Sequence, residues 1–225
     1  MHRYRVHLTE WRDMFYTLVI SSFFFLIKSV DTEGSFNVVR LESMGKAMIQ
    51  KCKALGQEKS LPAVSLTVED ILKNVFYYRV LNYQEQLSLI SVLPSFLSAN
   101  QKIKLIILDS VTAHFRHDFQ DYAQRSRLLQ GMAAKLREIA SNFNVAIVMT
   151  NQVTTRFTSV QGVRKTSIGP ALGDTWAQVC GTRVMLYWQQ SKRFAHLSKS
   201  QFAVSEEVEY AISEEGLRSV NNNNF

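Results

Sequence analysis

Cysteine is scarce in this chain: its 225 residues hold two, Cys52 and Cys180, with no Cys-x-x-Cys spacing. That argues against a disulfide framework or a cysteine zinc site and fits a reducing compartment. Other metal-ligand sets are missing as well. His114 and His117 stand three apart, but no Cys, His or Glu completes a set around them, and they read as neutral or solvent-facing loop histidines. No apolar run reaches the roughly 20 residues that a bilayer span needs. The most apolar stretch, Phe15 to Ile27, is interrupted by Ser21 and Ser22 and is followed by no Ala-x-Ala site. Arg3, Arg5 and Arg12 precede it, an order shared with signal anchors. The expectation is a buried first strand preceded by a segment foreign to the fold, with a membrane anchor as the alternative. There is no internal repeat.

With 46% hydrophobic residues, a chain of this length can bury a substantial core in one domain. The net charge of +7 is unevenly placed. Residues 151–200 hold seven Lys and Arg against Asp174 alone, whereas residues 201–225 hold five Glu against Arg218. A basic stretch before an acidic tail points to a polyanion surface on one side, with an ordinary solvated loop as the plain alternative.

The order of elements is that of an α/β protein. Phe36 to Leu55 carries apolar residues at helical spacing, among them Val39, Met44, Ala47 and Met48. Thr67-Val68-Glu69-Asp70 has the form of a capping box opening a helix through Lys73. Val75 to Tyr78 reads as a strand. Asn82 is placed to cap a helix towards Ala99, bent or interrupted near Pro94. A strand over 104–109 leads into a polar loop, then a long helix from Tyr122 to Phe143 and a strand over 145–149. A Gly- and Ser-containing loop reaches to about Gly169, followed by a short helix around Gly173 to Val179. Thr182 to Trp188, Phe194 to Lys199 and Val208 to Ile212 close the chain as an antiparallel extension. Asn221 to Asn224 reads as a disordered tail.

Chemistry concentrates at strand ends. Leu105-Ile106-Ile107-Leu108 reads as a strand buried on both faces, and Asp109 with Ser110 stands at its C-terminal edge, where open α/β sheets place ligands. Val145 to Met149 likewise ends in Thr150-Asn151-Gln152. This is the layout of a nucleotide triphosphatase whose Asp holds Mg²⁺, directly or through water. Asp31-Thr32-Glu33-Gly34 closes the first strand. Glu33 there is placed to orient an attacking water, with an ordinary acidic turn as the alternative. Gly34 permits the close turn. Gln152 suits sensing of a γ-phosphate, or is a solvated strand end.

Val30 to Phe36, Leu105 to Ser110 and Ile147 to Gln152 occur in order and at domain-scale spacing. Together they resemble the RecA-type ATPase core of the eukaryotic strand-exchange recombinases. Phe115-Arg116-His117-Asp118 and Ala171-Leu172-Gly173-Asp174-Thr175-Trp176 resemble the C-type paralogue branch of that family, proteins of homologous-recombination repair. The resemblance covers about residues 30–220 and implies an α/β, RecA-like P-loop NTPase core with an antiparallel C-terminal extension. It implies Glu33 as the catalytic carboxylate, Asp109 with Ser110 as the Mg²⁺ and ATP residues, and Gln152 as the switch between nucleotide and DNA. The stretch from Arg116 to Arg125 would match the first DNA-facing loop. Thr154 to Gly169, with Arg156, Arg164 and Lys165, would match the second, its cations suited to phosphates rather than bases. The implied partners are single-stranded or junction DNA and other paralogue subunits, in the nucleus and without a membrane.

The chain also departs from that family. G-x-x-x-x-G-K-[ST] occurs nowhere in it. Gly45-Lys46 is a decoy, with Arg40 in place of the first glycine and Ala47 in place of the hydroxyl residue. Residues 1–29 therefore read as foreign sequence replacing the upstream half of a recombinase core, through an incomplete or alternatively spliced form, with the core over 30–220 and a tail over 221–225. The first DNA-facing loop is short and lacks the family's mid-loop cation, so strand exchange is not expected. Two other readings stay open: an interaction module without nucleotide chemistry, and a different RecA-like ATPase such as a helicase core.

Overall fold

The computed structural model describes residues 26–58, 65–117, 119–160 and 163–220; the apolar stretch over 15–25 and the tail over 221–225 lie outside them. The described residues divide into two units: those within Ser35–Tyr77 and from Thr182 onward belong to one, and those within Ser29–Gly34 and Tyr78–Gly181 to the other.

The second unit carries the strand ends singled out above. Strands β1 (Leu26–Asp31), β2 (Val75–Arg79), β3 (Ile103–Asp109) and β4 (Ala146–Met149) form a sheet in the order β2-β1-β3-β4. β3 and β4 are parallel, pairing Leu105 with Ala146 through Leu108 with Met149. Ile106, Ile107 and Leu108 have no exposed surface, as an aliphatic run covered on both faces should.

Among the helices, α1 is Val38–Glu58, α2 Val68–Lys73, α3 Tyr83–Ala99, α4 Thr112–His117, α5 Tyr122–Phe143 and α6 Gly173–Ala177. α3 and α5 pack on each other. Ile90, Leu93 and Leu97 of α3 and Leu129, Met132, Leu136 and Ile139 of α5 are buried, spaced three and four apart as one helix face requires. Local signals set the helix ends. Asn82 accepts from the Glu85 amide at 2.8 Å. Asp121 accepts from those of Ala123 and Gln124 at 2.8 and 3.1 Å. Asn144, at φ 50°, ends α5 in the left-handed region.

In the first unit, Thr67 and Asp70 form the expected capping box of α2. Gly45 of α1 faces that helix, where an added Cβ would lie 3.4 Å from Ile71 Cδ1. Close helix packing therefore explains Gly45, and Lys46 pairs with Glu42 one turn earlier. Strands β7 (Arg183–Gln189), β8 (Lys192–Lys199), β9 (Glu207–Ser213) and β10 (Gly216–Ser219) form an antiparallel sheet in the order β10-β9-β8-β7.

Several sequence expectations change. Of the bend or interruption expected near Pro94, the interruption does not occur: helix α3 continues through it. Proline removes one backbone donor, while buried Ile90, Leu93 and Leu97 hold the turns on either side. The polar loop after β3 is largely the helix α4. The loop expected up to Gly169 is a hairpin of β5 (Val153–Val160) and β6 (Val163–Pro170). The closing strands are antiparallel as expected, with β10 as an additional fourth strand. His114 is not a solvent-facing loop residue: it sits in α4 with Nε2 3.1 Å from the Val80 carbonyl oxygen.

Candidate functional site

The ends of β1 and β3 are stitched by Thr32. Its amide donates to the Asp109 carbonyl at 2.8 Å. Its hydroxyl donates to the Ser110 carbonyl and accepts from the Ser110 amide, both at 2.8 Å. The Asp109–Ser110 peptide is cis. Asp31, almost wholly buried, uses Oδ1 to accept from the amides of Glu33 and Gly34 at 3.0 and 2.7 Å. Arg79 Nη1, 3.1 Å away, completes an ion pair with the same oxygen.

Glu33 Oε1 accepts from Ser110 Oγ at 2.6 Å and from Gln152 Nε2 at 3.4 Å. Arg116 Nη1 in turn donates to Gln152 Oε1. Residues from the ends of β1 and β3, from α4 and from beyond β4 thus form one polar chain: Ser110, Glu33, Gln152, Arg116. A second layer holds Gln152 in place. Thr112 Oγ1 accepts from its amide at 3.1 Å and donates to Asn151 Oδ1 at 2.7 Å. The Gln152 carbonyl accepts from the Ala171 amide at 2.8 Å.

Asp109 stands beside this chain, its Oδ1 accepting from Thr150 Oγ1 at 2.6 Å. Burial pushes its pKa up to about 6, with the Glu33 and Asp31 carboxylates adding to the rise and the Thr150 hydroxyl opposing it. Among the described residues no three His, Cys, Asp or Glu side chains are grouped to hold a metal ion alone. Asp109 and Ser110 nevertheless fit Mg²⁺, which takes one or two carboxylates and leaves its remaining positions to water and substrate phosphates. A divalent cation there would offset the crowding of negative charge that raises Asp109.

The sequence pattern of the Rad51 family matches residues 27–220. The chain belongs to the Rad51 family. It is 39% identical over 193 residues to the DNA repair protein RAD51 homolog 3 of Dictyostelium discoideum, covering 85% of this chain and 50% of that relative. The protein of the same name from Cricetulus griseus is 34% identical over 194 residues, covering 84% of this chain and 52% of that relative. The chain therefore spans about half the length of the curated relatives it matches. Both names agree with the C-type paralogue branch that the sequence resembles.

The residues for which DNA contact was expected lie on regular elements. Arg116 lies in α4 and is bonded to Gln152. Arg125 lies in the first turn of α5, its guanidinium 4.9 Å from the ring centre of the exposed Tyr122. The stretch between them is thus helical at both ends, because Asp121 caps α5 early. Arg156, Arg164 and Lys165 stand opposite Ser167, Ser159 and Thr158 in the hairpin register, and their side chains lie outside the described residues. Sequence reasoning missed Thr112 and the Asp31–Arg79 pair. The Thr150-Asn151-Gln152 strand end flagged Thr150, but nothing local marks Arg79.

Proposed function

We propose that this chain is part of a C-type recombinase paralogue that acts in DNA repair by homologous recombination, in the nucleus and in a complex with related subunits. The observation that carries this reading is the polar chain Ser110–Glu33–Gln152–Arg116 beside Asp109 in a Rad51-family chain. Asp109 and Ser110 are the residues that would hold Mg²⁺ and face ATP. Bound there, Mg²⁺ and ATP supply the transferable phosphoryl group and the charge that neutralises it. Glu33 orients or deprotonates a water, with Ser110 and Gln152 fixing its carboxylate. Gln152 links that carboxylate to Arg116, so a DNA phosphate drawing on Arg116 would act on Glu33 through one amide. Arg125 and the hairpin cations Arg156, Arg164 and Lys165 neutralise phosphates of single-stranded or junction DNA.

One observation favours a second reading, an interaction module without nucleotide chemistry: the sequence carries no phosphate-loop motif. Replacing residues 1–28 with a phosphate-loop segment separates the two. The nucleotide reading expects Mg²⁺-dependent ATP binding in calorimetry, weakened about tenfold or more by Asp109→Ala, since removing one interaction with a charged group costs roughly 1.5–3 kcal/mol. ATP binding indifferent to both Mg²⁺ and Asp109→Ala, or no binding, sinks it.

A further inference from the structure

Gly34 turns the chain at φ +75°, and a Cβ added there would lie 2.9 Å from Arg79 Nη2 and 3.1 Å from Arg79 Cζ. The guanidinium therefore covers the turn that no other residue type could occupy without displacing it. Arg79 Nη1 also reaches Asp31 Oδ1, the oxygen that accepts from the Glu33 and Gly34 amides. The Asp31 side chain is 3% exposed and that of Arg79 37%, so a nearly buried carboxylate depends on a cation arriving from the solvent side. These contacts fix the backbone at Glu33, and hence the direction in which its carboxylate leaves the chain. From that position Oε1 meets both Ser110 Oγ and Gln152 Nε2.

We infer that Arg79 is a positioning residue, which locks the 31–34 turn through Asp31 and aims the Glu33 carboxylate at Ser110 and Gln152. The inference rests on the role given to Glu33 above, but its geometry can be read without nucleotide. Lysine supplies a point charge for Asp31 but not the planar fork that also covers Gly34. The variants Arg79→Lys and Arg79→Gln in the full chain grade the effect.

Amide hydrogen exchange at Glu33 and Gly34, compared with the buried amides of β3, separates local release from global loss of stability. Arg79→Gln is expected to lower protection at both amides about tenfold or more relative to β3, the scale of a hydrogen bond to a charged group. Arg79→Lys is expected to fall between it and the parent, and it provides the reading should Arg79→Gln fail to fold. Mn²⁺ binding followed by electron paramagnetic resonance is the second readout, expected to weaken several-fold in the same order. Protection at Glu33 and Gly34 that moves only in step with β3 overturns the inference. A parent chain that binds no Mn²⁺ speaks against the nucleotide site, and the exchange ratios then decide the positioning role by themselves.

Discussion

Asp109 shows at the scale of one residue how a site works against the fold that holds it. Its folded pKa of about 6 lies above the ordinary 3.8, so the native state binds this proton more tightly than the unfolded chain does. Between roughly pH 4 and 6 the folded form carries the extra proton, and stability falls as pH rises through that window. Above it, the ionised and crowded carboxylate opposes folding by an amount on the order of 3 kcal/mol, taking about 1.4 kcal/mol per pKa unit. Asp109→Asn keeps an acceptor for Thr150 and removes the charge. Its Tm is expected to exceed the parent's by several degrees at pH 8 and to match it at pH 4, as thermal unfolding at both pH values would reveal. Equal melting at pH 8 would mean that the carboxylate is not crowded. Strand-end patterning made Glu33, Asp109 and Gln152 legible in the sequence, because hydrophobic runs announce where a sheet stops. Arg79 was not legible, for it meets Asp31 48 positions away through the pairing of two strands.

At the scale of elements, what is local was readable and what is paired was not. The capping box at Thr67 and the cap at Asn82 are encoded within four residues of each helix start, and the structure places both. Helix α4, at six residues, is too short to display a period. The β5–β6 hairpin was hidden by its Ser, Gly and Lys content. Val153, Thr154, Thr155, Phe157, Thr158 and Val160 are β-formers that carried the signal. The hairpin register puts Arg156, Arg164 and Lys165 on two paired strands rather than in a loop. Substituting Arg156, Arg164 and Lys165 together by alanine is expected to lower the log–log salt slope of single-stranded DNA binding by about 0.7 for each phosphate no longer neutralised. Fluorescence anisotropy across a salt series measures it. An unchanged affinity and slope would remove the hairpin from the DNA surface.

For the whole molecule, the Rad51-family match covers residues 27–220. The two units each draw on distant stretches of the chain, and the polar site shows what that means in time. Thr32 meets Ser110 across 78 positions, and Gln152 meets Glu33 across 119. Loops of that length close slowly compared with the formation of a helix, whose bonds reach only four residues. Refolding followed by pulsed amide labelling should find the amides of α5 protected before that of Thr32, which needs the Asp109 carbonyl. Simultaneous protection would mean that β1 and β3 dock in the first collapse. If the order holds, every refolding chain passes through an interval with its helices in place and the Ser110–Glu33–Gln152 contacts not yet made.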